Sequence, residues 1–146
     1  VVMLMKGNGR FDFNIVGESH RQNHLSWIAG PKSPSGHDLD CLAALVRHDD
    51  NLHDDKAVAV FIVFASGKIL IVGYLARKDA RRYRSCLKDL GREDPEGMLC
   101  RAKIVGGWDD GAGNEGHYGV KLDLMMPLKF GTIKSWDSWK QRLLPG

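Results

Sequence analysis

Two copies of one triplet, His48-Asp49-Asp50 and His53-Asp54-Asp55, stand five residues apart with only Asn51 and Leu52 between them. Imidazole and carboxylate are ligands for Mn, Fe or Zn, and a bound metal with an open position activates water for phosphoester hydrolysis. A metal-dependent phosphoesterase or nuclease of this kind would draw on His48, His53 and Asp54. The spacing opposes it. A five-residue step on an extended loop does not bring both imidazoles to one face, and no further ligand follows at zincin spacing. His20, His24, His37 and His117 add ligand types without a recognisable pattern. No P-loop, dinucleotide-binding glycine fingerprint or nucleophile elbow occurs in the needed strand-helix context.

A second chemistry fits the same neighbourhood. A single-stranded nucleic acid needs aromatic faces for its bases and cations for its phosphates. Tyr74, Tyr118, His53 and Trp108 are candidate platforms, against the plainer readings of Tyr74 as a core residue at a strand end and of Trp108 as a packed loop anchor. Asp54 could accept a hydrogen bond from a terminal hydroxyl, whereas a terminal phosphate there would meet like charge; the alternative is a turn aspartate bonding its own loop amides. Arg47 and Lys56 bracket the loop and could hold phosphate or neutralise the local carboxylates. Arg81, Arg84 and Lys88, with Arg77, Lys78 and Arg82 nearby, could track a backbone or form a solvated helix face.

These residues must be held by something rigid. Val58 to Phe64 and Lys68 to Leu75 are β-branched runs around a Ser66-Gly67 turn, the pattern of a hairpin. Their continuous apolar character implies burial on two faces, as in a small closed or nearly closed barrel. Arg77 to Leu90 predicts a helix with Ala80, Tyr83, Leu87 and Leu90 on one stripe and Gly91 as its stop.

Upstream, Phe11 to Val16 alternates as a strand, Leu25 to Ala29 reads as a second short strand, and Asp40 to Arg47 as a third. Downstream, Met98 to Val105 and Tyr118 to Met125 read as strands around a Gly- and Asp-rich surface loop at Trp108 to Gly116. Ser135 would cap a short helix with Trp136, Trp139 and Leu143 on one face, a stripe that in a protein-interaction domain could dock a partner or a second copy as a homodimer. The expectation is a mainly β fold, an OB-like small barrel of about six strands with one helix across it and a short C-terminal helical tail. Residues 1–10 are read as an N-terminal arm, 11–126 as the domain and 127–146 as the tail.

A chain of 146 residues supports one domain with a real core. Apolar content of 43% against 27% charged residues excludes a mostly disordered chain. No apolar run approaches the roughly 18 residues needed to cross a bilayer. The opening Val1 to Gly7 has no basic residue ahead of it and does not read as a signal peptide. A start on Val reads as a processed or excised piece of a longer protein. Cys41, Cys86 and Cys100 are odd in number, with no CxxC pair, as expected of buried thiols inside a cell. A net charge of +3 is mild, but its distribution is uneven. Six aspartates face one arginine between His37 and Asp55, whereas Arg77 to Lys88 holds six Lys or Arg against Asp79.

Arg47, Asn51, Asp54, Ala57-Val58-Ala59-Val60, Gly73-Tyr74-Leu75, Arg77 and Ala80 form a pattern that resembles the HIRAN domain, and Phe13-Asn14-Ile15-Val16-Gly17-Glu18 is similar to that family's first strand. The likeness runs from about Phe13 to Met125. It departs from the family at Leu52, His53 and Lys56, where Pro, Tyr and Asn are usual. The resemblance implies a modified OB-like barrel without catalysis or cofactor, which captures single-stranded DNA ends and holds the free 3′-hydroxyl in a pocket. It also implies an attached or associated ATPase that works at damaged or stalled-fork DNA, hence an intracellular setting. The pocket would be lined by the loop Asn51-Leu52-His53-Asp54, Tyr74 and Tyr118.

Overall fold

The computed structural model describes residues 2–92, 97–133 and 143–145. Strands dominate: β1 (Val2–Met5), β2 (Phe13–Asn14), β3 (His37–Arg47), β4 (Val58–Val63), β5 (Ile69–Tyr74), β6 (Met98–Gly106), β7 (Tyr118–Asp123) and β8 (Phe130–Ile133), with helices α1 (Gln22–Ala29) and α2 (Arg77–Asp89). The strands hydrogen-bond in the order β2-β7-β6-β3-β4-β5, and β1 joins β6 in parallel and β8 in antiparallel sense. Where β7 leaves β6 at Arg101, β1 takes over beside Leu99 and Cys100. The sheet curls into a small, mostly β, barrel-like fold.

Two hydrogen bonds draw the ends of the curl together. Val16, just beyond β2, gives its N–H to the Tyr74 carbonyl and receives the Tyr74 N–H in return, both at 2.8 Å. The approach depends on Gly73, where a Cβ would stand 2.6 Å from the Val16 carbonyl oxygen and 2.9 Å from Ile15 Cδ1.

The unbroken apolar run in β3 has a simple cause. Alternate residues point to opposite faces of a strand, and both faces here are covered. Cys41, Ala43 and Leu45 enter the main core with Val58, Val60 and Ile62 of β4, while Leu42 and Ala44 pack with Val63 and Leu143 on the outer side. α2 buries Ala80, Tyr83 and Leu87 as its stripe requires. Leu90 departs from that expectation and is 48% exposed. The helix ends where Gly91 turns left-handed (φ 69°) and the Arg92 N–H reaches back to the Leu87 carbonyl.

Three expectations need correction. Leu25 to Ala29 is not a strand but the second half of α1. Leu25, Ile28 and Ala29 recur at helical spacing, and Leu25 is fully buried while Trp27, two residues on, remains 68% exposed, edge-on to Phe64. The opening residues, read as an arm, contribute strand β1, and Met5 is core. Leu143, read as part of a docking stripe, is 8% exposed and packs within the chain, and the next residue, Leu144, bridges Phe64. Trp136, Trp139 and the helix proposed around them lie outside the described residues. Among the described residues no helix is long and apolar enough to cross a membrane.

Candidate functional site

The loop between β3 and β4 is built on its own polar side chains. His48 N–H bonds the Ala57 carbonyl at 2.9 Å, closing the loop at its base. The Asn51 side-chain oxygen accepts the amides of His53 (2.9 Å) and Asp54 (3.0 Å), and Asp54 Oδ1 accepts the amide of Lys56 at 3.0 Å. Two consecutive Asx turns therefore set the loop's path. Asn51 Nδ2 also lies 3.2 Å from His48 Nδ1, and His48 Nε2 faces Asp50 at 3.4 Å. The His48 ring lies parallel to Tyr74 with centroids 6.0 Å apart, and Tyr74 Oη stands 3.2 Å from Nδ1.

Asp54 meets the first turns of α2. Its carboxylate lies 3.5 Å from Arg77 Nε and 3.6 Å from Arg81 Nη2, and it is only 14% exposed while the two arginines are largely in solvent. The loop, the end of β5 and the start of α2 thus enclose a groove of about 290 Å3 lined by Val16, Asn51, His53, Asp54, Tyr74 and Arg77.

No family model, curated protein or solved structure matches the chain.

Of the residues singled out from sequence, Asn51, His53, Asp54, Tyr74 and Arg77 come together, and Arg81 stands against them through Asp54. Tyr118 does not join them. It is 3% exposed, donates its hydroxyl to the Gly30 carbonyl at 2.6 Å, and lies beside His37. Its surroundings form a different groove with Gln22, Lys32 and His117. The cause is α1, whose Gln22 side chain bonds both the Tyr118 carbonyl and its amide, so that the start of β7 is roofed over. Trp108 packs over Gly116, where a Cβ would stand 2.1 Å from the indole nitrogen, and is 39% exposed, which makes it a loop anchor.

Lys56, Arg84 and Lys88 lie in a third groove, with Arg47, Asp49 and Asp55. Arg84 is not a free cation there. Its Nε donates to the Lys56 carbonyl at 2.7 Å, Nη2 to the Ala57 carbonyl at 2.8 Å, and Nη1 meets Asp49 at 2.7 Å. The hydrogen bond from Arg84 holds the Asp49 carboxyl below its ordinary pKa, with help from the positive charges of Arg84, Arg47 and Lys56. Arg84 fastens the loop to the helix and leaves Lys56 and Lys88 as the exposed cations of the groove.

The repeated His-Asp-Asp triplet divides between two environments. His48 turns inward to Tyr74 and Asn51, while His53 lines the groove. Among the described residues no three His, Cys, Asp or Glu side chains gather as a metal site. The free thiols offer no nucleophile in the core: burial pushes Cys41 up to about 12 and raises Cys100 as well. Val16 is the groove residue that the site reading overlooked, and its signal was its place before Gly17-Glu18 at the end of the first alternating strand.

Proposed function

We propose that this chain is a non-catalytic nucleic-acid-binding module of the HIRAN type, which receives the end of a single DNA strand in the groove beside Asp54. The observation that supports this reading is the convergence of Asn51, His53, Asp54, Tyr74 and Arg77, drawn from a loop, a strand end and a helix, on one groove. In this reading Arg77 and Arg81, more than half exposed, attract the strand's phosphates. His53 and Tyr74 offer ring faces; a base stacked on an aromatic contributes roughly 1 to 3 kcal/mol. The Asp54 carboxylate accepts the terminal 3′-hydroxyl. A 3′-phosphate in its place meets the same carboxylate at close range and is disfavoured. The Asx turns hold Asp54 in position before the strand arrives, so little ordering remains to be done on binding. The module would then deliver ends to an attached or associated ATPase at damaged or stalled-fork DNA inside the cell.

Fluorescence anisotropy with oligonucleotides ending in a 3′-hydroxyl, a 3′-phosphate or a blunt duplex tests this. The expected order is tightest binding to the 3′-hydroxyl strand, weakening as salt rises. No salt-sensitive binding to any of the three would overturn the function, and equal affinity for the first two would remove the end-capture step.

A further inference from the structure

The groove of about 460 Å3 at the far end of α2 has an unusual charge arrangement. Arg84 and Asp49 neutralise one another at 2.7 Å. The rest of the lining carries the cations of Arg47, Lys56 and Lys88 and the carboxylate of Asp55, and the charges of Arg47 and Lys56 also act on Asp49. Arg47 is half-buried, its Nε–H is shielded from solvent without an acceptor, and its guanidinium has no ion-pair partner among the described residues. Lys56 and Lys88 are exposed. A guanidinium offers the fork geometry that fits phosphate. The hydroxyl-bearing Ser85 completes the rim.

The same loop and the same helix serve both grooves. Asp54 and Arg77 belong to the end groove, Asp55 and Lys88 to this one. Arg77, Arg81, Arg84 and Lys88 follow one another at intervals of four, three and four residues, and so form one stripe. Eleven residues at a rise of 1.5 Å separate Arg77 from Lys88 by about 16 Å. At 3.4 Å per nucleotide of stacked strand that distance covers roughly five nucleotides, and fewer if the strand is extended.

We propose that the Arg47–Lys56–Lys88 groove is a second phosphate site, which holds the backbone of the same strand several nucleotides upstream of the end seated beside Asp54. The inference rests on the proposed function and adds to it a minimum strand length and a direction of travel along α2. A strand is favoured over a free phosphate ion because the cations line an open groove continuous in sense with the helix stripe, with no close cage around a single ion.

The test compares 3′-hydroxyl oligothymidylates of two and eight nucleotides, on the wild-type chain and on a Lys56→Gln/Lys88→Gln double variant. Both lysines are exposed, so the fold is retained. The octamer is expected to bind the wild type at least tenfold more tightly than the dimer. In the double variant most of that advantage disappears, dimer binding is unchanged, and the slope of log K against log salt for the octamer falls by about 1.4, two contacts at ~0.7 each. Arg47→Gln, checked for folding by circular dichroism, is expected to act on the octamer in the same way. If wild type and double variant bind both lengths alike, the second site is overturned while end binding stands. If the wild type binds neither length, the functional reading fails and the second site with it. Submillimolar binding of inorganic phosphate alone, lost in the double variant, would reassign the groove to a free anion and overturn the strand path.

Discussion

Arg84 and Asp49 form the closest charged contact between helix α2 and the β3–β4 loop among the described residues, Nη1 to Oδ1 at 2.7 Å, and the same guanidinium bonds the carbonyls of Lys56 and Ala57. The loop that carries Asp54 is thereby tied to the helix that carries Arg77 and Arg81. Replacing Arg84 by Met keeps an unbranched apolar stem but removes these bonds. Urea unfolding is expected to show a loss of about 2 kcal/mol, within the range for hydrogen bonds to charged groups. An unchanged midpoint would contradict the tying role.

Asp49 gives that contact a pH dependence. Its folded pKa is depressed, chiefly by the hydrogen bond from Arg84, so its contribution is fully present above the ordinary carboxylate range of about 4. It is lost as pH falls through the lower folded value. The stability difference between wild type and Asp49→Asn is expected to be steady from pH 5 to 7 and to shrink below about 4. The carboxylate is 59% exposed, so the difference should stay under about 1 kcal/mol. Thermal melts of both proteins across this range check it.

Asp54→Asn separates the turn from the charge. The amide oxygen still accepts the Lys56 N–H, but the attraction to Arg77 and Arg81 and to a terminal hydroxyl is weakened. Under the proposed function, affinity for a 3′-hydroxyl strand falls about tenfold to a hundredfold, equivalent to 1.5 to 3 kcal/mol. The preference over a 3′-phosphate strand should narrow or vanish in the same anisotropy assay.

Gly73→Ala puts a methyl group where the Val16 carbonyl stands, at 2.6 Å. Backbone must shift, and the paired Val16–Tyr74 bonds that join the ends of the sheet are strained. A loss of about 1 to 3 kcal/mol is expected, as for overpacking elsewhere. Because Val16 and Tyr74 both line the end groove, strand binding should weaken in parallel with melting temperature.

Tyr118→Phe tests the opposite case. Removing the hydroxyl leaves the Gly30 carbonyl without its donor at 2.6 Å, for a cost of about 1 kcal/mol. Strand binding should not change, since Tyr118 is roofed over by α1 and lies outside the Asp54 groove.

Much of the framework is legible in the order of residues. The hairpin of β4 and β5 and the strand of β3 follow from continuous apolar and β-branched runs, and the stripe of α2 from a period of 3.6, each carried within its own segment. The loop at Asn51 to Lys56 is equally local, because Asx turns join residues two or three apart. The helical spacing of Leu25, Ile28 and Ala29 did not disclose α1, since in a helix of only eight residues the apolar Leu25, Trp27 and Ala29 fit alternation in a strand equally well.

What each polar side chain faces was decided elsewhere. Tyr118 is turned inward by a carbonyl 88 positions away, and Arg84 is engaged by carbonyls 27 and 28 positions away. Leu143 is taken up by the outer face of β3. The sequence by itself determined the strands β3 to β7, the helix α2, the loop's turns, and the charges available near them. Only the tertiary structure decided that Asp54, Tyr74, Arg77 and Val16 share a groove, that Arg84 acts as a tie, and that Tyr118 is sealed. Periodicity is a property of neighbours along the chain, whereas the partner of a hydrogen-bonding group is set by which distant segments the closed sheet brings within 3 Å or so of it.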